Sequence, residues 1–470
     1  MTSREPVDWR VPLRLLRDRR DLRLLLGAGL VSMSGDWLLA IGLTYSVYAI
    51  TGSTLASALT LLAGFVPQVL AGLVAGVFVD RWDRKRTMIG ANLLLAVGLL
   101  PLLAVHGREQ IWVVYLVLVW EALVEVFFAP AEEAMLPRLV AADDGPTAKG
   151  AAAGAAAGAA AGAADEAHLV TANGLAGQTQ NLARLLGSAV GGVAAAAGGI
   201  PAVALVDAVT FVVAALLLGR IRTSGKIRTT PDVDTDVDTD VDTGIDTGVG
   251  PEELVRSRFA DLRGEWAEGL RVAWHTTPLR VLLLFNAITS IGEGLMGTLF
   301  APYVRSVLHS GAEVLGVITS AQAIGGIAGG LIVASLGHRW SPVRMLGLGS
   351  VAFGLVDLAI FLYPLLLVQS WPAVVGMIVV GVPGAIVTAG MMTIYQRETH
   401  DAQRGRVFSL VMLTRSVAMV LGTTTAGFLG DAVGIVPVLA FQGAGYVVAG
   451  LMVLATLTRE RSGERRTVAA

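Results

Sequence analysis

Glu121 and Glu125 stand four residues apart in the stretch "IWVVYLVLVWEALVEVFF", where almost everything else is apolar. Spacing of i, i+4 puts both carboxylates on one face of a helix. Two adjacent carboxylates in a low-dielectric setting resist double ionisation, so such a pair can hold a proton at neutral pH. Similar isolated charges recur in other apolar runs: Asp36, Arg184, Asp207, Glu293, Asp357 and Arg415. Each costs roughly 2.5–3.5 kcal/mol at the centre of a bilayer on insertion scales, so each should face a cavity or a partner. The two arginines offer either fixed ion pairs for these acids or ligands for an anion.

The runs that carry these charges are long enough to cross a bilayer. A spanning helix needs about 20 largely apolar residues, and twelve candidate spans are present: 22–50, 55–79, 87–105, 111–129, 173–197, 200–219, 279–304, 313–336, 345–367, 372–395, 405–429 and 435–457. Of the 470 residues 54% are hydrophobic and 15% charged, against about 25% charged in a soluble domain. Backbone groups in lipid must be satisfied internally, which makes the spans helices and the fold all-α. With the N-terminus in the cytoplasm, cytoplasmic segments hold 31 of the 35 Lys and Arg residues. Arg108 and Arg305 alone fall in external loops. That asymmetry predicts twelve transmembrane helices with both termini cytoplasmic.

Net charge is −2 and there are no cysteines, which argues against a nucleic-acid partner and excludes disulfides and thiolate metal sites. The six histidines are scattered, so no metal site is expected. The N-terminal "MTSREPVDWRVPLRLLRDRRDLR" lacks the apolar core of a signal peptide and reads as a basic, partly amphipathic surface helix. No phosphate-binding G-x-x-x-x-G-K-[ST] loop occurs, so no nucleotide cofactor is expected.

The two halves repeat. "SMSGDWLL" at Ser32 matches "TSIGEGLM" at Thr289, and "DRWDRKR" at Asp80 matches "HRWSPVR" at His338. "TQNLARLLGSAVGG" at Thr179 matches "TRSVAMVLGTTTAG" at Thr414, and Asp36 and Glu293 occupy matched positions. Six-helix repeats are a transporter trait. The domain plan is a basic N-terminal segment (1–21), a first half (22–219), a central loop (220–278), a second half (279–457) and a tail (458–470). The Ala/Gly tract 150–164 could form a weak helix but reads first as a mobile linker. The Asp/Thr repeat 232–248 reads as a disordered acidic linker; without the glycine and terminal glutamate of a calcium loop, calcium binding is not expected. Residues 251–280 form an amphipathic pattern whose Leu254, Phe259, Leu262, Trp266, Leu270 and Trp274 can share one face.

Between spans 2 and 3 lie six charges in seven residues, "DRWDRKR". Here the chain resembles the major facilitator superfamily, with its drug-efflux branch of macrolide-efflux and siderophore-exporter types the nearest likeness. Gly76, Asp80, Arg81, Arg84 and Lys85 match the family's G-x-x-x-D-R-x-G-R-[KR] loop, and Asp83 stands where a second glycine is usual. "GSAVGG" in span 5, with Gly187, Gly191 and Gly192, resembles the antiporter pattern G-P-x-x-G-G, Ser188 replacing its proline. The resemblance covers nearly the whole chain apart from the two inserted tracts.

It implies two six-helix pseudo-symmetric halves, a central cavity lined by spans 1, 4, 7 and 10, and alternating access. Asp80 is then expected against the start of span 11 as a gate latch, with Arg81 and Arg84 in nearby ion pairs. Asp36, Glu121, Glu125 and Glu293, with Arg184 and Arg415, become the candidate substrate and proton sites. Asp207 and Asp357 fall on peripheral spans, where packing or hydrogen bonding is expected, and Glu132 and Glu133 at a gate. The implied function is proton-coupled export of amphipathic cationic or neutral drug-like molecules from the cytoplasm across a bacterial inner (plasma) membrane by a monomer. The alternatives are an exporter of an anionic siderophore or metabolite, and a non-transporting receptor or scaffold. The partners expected are the small-molecule substrate, protons and the bilayer, and no enzymatic activity is expected.

Overall fold

The computed structural model describes residues 15–79, 83–141, 155–223, 276–399 and 404–468, with residues 271 and 274. The helices are α1 (Arg20–Thr51), α2 (Thr54–Val79), α3 (Arg84–Gly98) and α4 (Ile111–Ala141), then a long helix, Ala155–Gly219. After the central loop come α7 (Thr277–Pro302), α8 (Ala312–Leu336), α9 (Pro342–Leu362), α10 (Trp371–Glu398), α11 (Arg404–Ala432) and α12 (Ile435–Val468).

Eleven helices among the described residues are long and apolar enough to span a membrane. One of them, the 45-residue stretch Leu175–Gly219, would run about 68 Å unbroken, roughly twice the hydrocarbon thickness. It does not run unbroken. Gly198 and Gly199 leave helical geometry, Gly199 with φ 61° and ψ −149°, a region open to glycine and closed to most residues. The limb before the break is α5 and the limb after it α6. Packing on α1 shows the reversal. Gly187 and then Gly191 of α5 meet Trp37 and then Leu38, in step with α1. In α6, Val203 meets α1 at Gly42 and Asp207 meets it at Gly35, in the opposite order. Twelve crossings result among the described residues, the number the hydropathy predicted.

The linker expectation for 150–164 needs correction. From Ala155 onward the tract belongs to the helix that becomes α5, as alanine's helix propensity favours. Residues 80–82, 142–154, 224–270 and 400–403 lie outside the described residues. The Asp/Thr repeat and most of the amphipathic 251–280 pattern fall there; Trp274 is helical and 60% exposed.

The sequence repeat is also a packing repeat. Gly187 packs on α1 at Ser34 and Trp37, and Gly422 packs on α7 at Ile291. Gly35 abuts Asp207, and Gly292 abuts Gln442. These pairs keep the 257-residue offset for the first helix of each half and the 235-residue offset for its partner. Small residues let such helices approach closely where lipid offers no hydrophobic drive. Gly325 and Gly329 of "GGIAGG" do the same for α8 against Gly381 and Val382 of α10.

The halves meet unevenly. At the end far from the termini they share one core, with Leu38, Leu43, Val47 and Ala56 in the same cluster as Leu299, Tyr303, Val304 and Leu308. At the terminal end each half keeps a separate core, around Leu22, Met88 and Leu218 in one and Leu282, Leu346 and Val453 in the other. The bundle is therefore closed at its far end. One of the seams between the halves joins α5 to α8, where a Cβ on Gly316 would lie 3.1 Å from Gly192 Cα. Overpacking of this kind costs roughly 1–3 kcal/mol. Gly316→Val should lengthen spin-label distances between the exposed positions 197 and 313 across this seam without preventing insertion; an unchanged distance distribution would mean that the seam is slack.

Candidate functional site

The helix crossings bring the first-half acids together. Asp36 on α1 and Glu121 and Glu125 on α4 each place a carboxylate oxygen within 4.8 Å of the others. Glu121 is 8% exposed, and Asp36 Oδ1 is buried without a hydrogen-bond partner. Gln68 of α2 donates its Nε2 proton to Glu125 Oε2 at 3.3 Å. Three carboxyl groups this close repel one another unless a proton or a cation sits among them. Among the described residues this is the group whose spacing would also admit a metal ion, although no metal was expected. Behind α1, Asp207 is fully buried, and Thr210 Oγ1 donates to its Oδ1 at 3.0 Å.

The second half is built differently. Glu293 on α7 is exposed, and Tyr446 of α12 donates its hydroxyl proton to Glu293 Oε1 at 2.5 Å. The Tyr446 ring lies 4.4 Å from that of Phe353. Asp357, fully buried on α9, accepts from Gln442 Nε2 at 3.1 Å. Asp207 and Asp357 thus take the packing and hydrogen-bonding places expected of them. Gln442 is the repeat equivalent of Asp207, so an acid–glycine contact in one half is an amide–glycine contact in the other.

Arg184 bridges the halves with no ion pair among the described residues. Its guanidinium lies over the Trp37 ring at 4.9 Å and donates to Gln322 Oε1 of α8. Beside it, Ser320 Oγ donates to Leu185 O at 2.8 Å. Of the two roles open to the arginines, fixed ion pairs with the membrane acids are not seen among the described residues: Arg184 is held by a ring and an amide, and Arg415 is exposed on α11. Trp37, Gln68, Gln322, Gln442 and Tyr446 were not singled out in the sequence. They carry no charge to stand out from an apolar run; only Trp37, beside Asp36, and Gln442, through the repeat, had a signal.

The three glycines of the antiporter-like pattern are packing residues. Gly187 and Gly191 seat α5 on α1, and Gly192 seats it on α8. The buried Ser188, in the proline position, has no partner for its hydroxyl.

Of the charged loop, Gly76 lies within α2, and Asp80 and Arg81 lie outside the described residues. Arg84 opens α3, and Asp83 caps it, accepting from Arg86 N at 3.0 Å. That accounts for an aspartate at a position where the loop pattern has glycine. Lys85, the last of the motif residues, makes its contacts within its own half. Its Nζ donates to Gly219 O at 3.2 Å and Ile221 O at 2.7 Å, capping the end of α6 in the same half. A cation is favoured there by the partial negative charge of a helix C-terminus. Asp21 holds the next two residues, its Oδ2 accepting from Arg222 N at 3.0 Å and Thr223 N at 2.8 Å. Lys85 and Asp21 together tie α1, α3 and α6 at the terminal end.

Comparison with known proteins gives a consistent picture. The chain matches the family model described as Major Facilitator Superfamily over residues 25–291 and 282–470. Among curated relatives, macrolide efflux protein A of Streptococcus pyogenes is 23% identical over 86% of this chain and 88% of its own length. Multidrug efflux pump Tap of Mycolicibacterium fortuitum is 28% identical over 89% and 91%. Solved structures share the fold. A peptide transporter POT in complex with sulfate has a TM-score of 0.67 at 14% identity, covering 94% of this chain and 95% of its own. An inward-facing bacterial homologue of the iron transporter ferroportin scores 0.64 at 15% identity, over 93% and 98%.

Proposed function

Because the chain belongs to the Major Facilitator Superfamily, a family of membrane transporters, we propose that it is a proton-coupled exporter of amphipathic cationic or neutral drug-like molecules. The observation that carries this reading is the meeting of Asp36, Glu121 and Glu125 within 4.8 Å. Such a group binds either a proton or the cationic part of a substrate, and exclusion of one by the other is the basis of antiport. The full-length similarity to macrolide and multidrug efflux proteins supports export and the substrate class.

The terminal end faces the cytoplasm, since nearly all Lys and Arg outside the helices lie there, and the membrane is the bacterial inner membrane. The described state, closed at the far end, is then the one that receives substrate from the cytoplasm. Energy comes from the proton gradient, no further cofactor is used, and one chain suffices as the working unit. Export of an anionic siderophore or metabolite is the weaker reading, because Arg184 is already engaged by Trp37 and Gln322.

The test is accumulation of chemically diverse compounds in cells with and without the protein. Lower accumulation of amphipathic cations, abolished by an uncoupler, is expected. Unchanged accumulation of such compounds alongside lower accumulation of anions would overturn the substrate assignment.

A further inference from the structure

At the far end, α2 begins against the last turn of α11. Thr54 N donates to Asp431 Oδ1 at 3.2 Å, and Ser53 Oγ donates to Asp431 Oδ2 at 3.4 Å. Thr54 Oγ1 donates to Gly427 O at 2.8 Å. A Cβ on Gly430 would lie 2.8 Å from Thr54 Oγ1, so the absence of a side chain there permits the approach. Thr54 is 1% exposed, whereas Asp431 is exposed. The contact joins the two halves, and it sets a carboxylate on the partial positive charge of a 26-residue helix, a favourable arrangement.

The pseudo-symmetric seam lacks it. Gly427 meets α2 at Ala58, and its repeat equivalent Gly192 meets α8 at Gly316, the equivalent of Ala58. By the same offset the equivalent of Asp431 is Ala196. One seam at the far end therefore carries a charged tie, and at the equivalent place the other has close glycine packing.

We propose that Asp431 is the latch of the external gate, holding the start of α2 while the carrier faces the cytoplasm and letting go for outward release. This rests on the transport direction and orientation proposed above. Helices α2 and α11 run antiparallel, so the end of each adjoins the start of the other. Asp431 follows that rule at the far end, as Asp80 is expected to follow it at the cytoplasmic end. In this arrangement a single helix pair carries a carboxylate-on-N-terminus tie at both ends, and the two ties alternate through the cycle.

The chain has no cysteines, so a single Leu61→Cys reporter is clean. Leu61 packs near Gly297 across the closed interface between the halves. A membrane-impermeant maleimide added outside intact cells should label this cysteine about two- to five-fold faster with Asp431→Asn than without it. Asp431→Glu should keep the parental rate. If Asp431→Asn fails to insert, Thr54→Pro removes the donating N–H at a first helical position that tolerates proline, and should give the same rise. A parent that labels from outside, with Asp431→Asn matching it, overturns the latch alone. A parent and variant that both stay unlabelled with substrate and gradient present overturn the transport reading together with the latch.

Discussion

Asp36→Asn and Glu125→Gln should each abolish uphill export driven by a pH gradient while leaving downhill exchange measurable in at least one of them. Each removes an ionisable group from a cluster whose three carboxyl oxygens lie within 4.8 Å. Without that group the cavity no longer changes charge between its loaded and empty returns. A single charge crossing 100 mV of potential is worth about 2.3 kcal/mol, or roughly fifty-fold accumulation, and this is the amplitude that should be lost. Glu293→Gln should behave differently. Glu293 accepts from Tyr446, and an amide oxygen can still accept there, so substrate choice should change more than coupling. Gradient-driven flux and substrate affinity in proteoliposomes check all three. Full gradient-driven transport in every variant would make the carboxylates structural.

Asp80→Asn should reduce transport severely with expression and insertion intact. Asp80 follows the end of α2 and is expected on the start of α11, where a carboxylate contributes roughly 0.3–2 kcal/mol. A carrier cycling between two nearly balanced states is shifted several-fold by that amount. The defect should lie in the outward-facing state, which this contact closes on the cytoplasmic side. Asp431→Asn acts on the opposite state, so the double variant should recover part of the lost balance. Normal flux in Asp80→Asn would remove the cytoplasmic latch.

Much of this was legible in the sequence because a bilayer constrains a chain severely. The spans and the break between 197 and 200 follow from hydropathy and from glycine where the chain must reverse. The repeat was legible through "SMSGDWLL" and "TSIGEGLM", and it reappears as equivalent glycine contacts. The membrane acids stood out as costly charges and Glu121 and Glu125 as a pair on one helix face, but that Asp36 joins them was not readable. Asp36 and Glu125 are 89 positions apart, and only the crossing of α1 and α4 joins them. The partners of Arg184 were hidden for a different reason: a buried guanidinium can be held by a ring and an amide, neither of which is conspicuous in an apolar run. Lys85 was legible only as a member of the charged loop motif, without a partner of its own. In three dimensions it caps the nearest free carbonyls, those at the end of α6.

Exchange of protons for substrate at the first-half carboxylates has a direct signature. The most direct measurement is proton movement on adding an amphipathic cationic substrate to proteoliposomes with no imposed gradient, read by a pH-sensitive dye in the lumen. Substrate transport should drive protons the opposite way across the membrane in the parent and not in Asp36→Asn. Substrate flux in the parent with no accompanying proton movement, or proton movement undiminished in Asp36→Asn, would contradict the account.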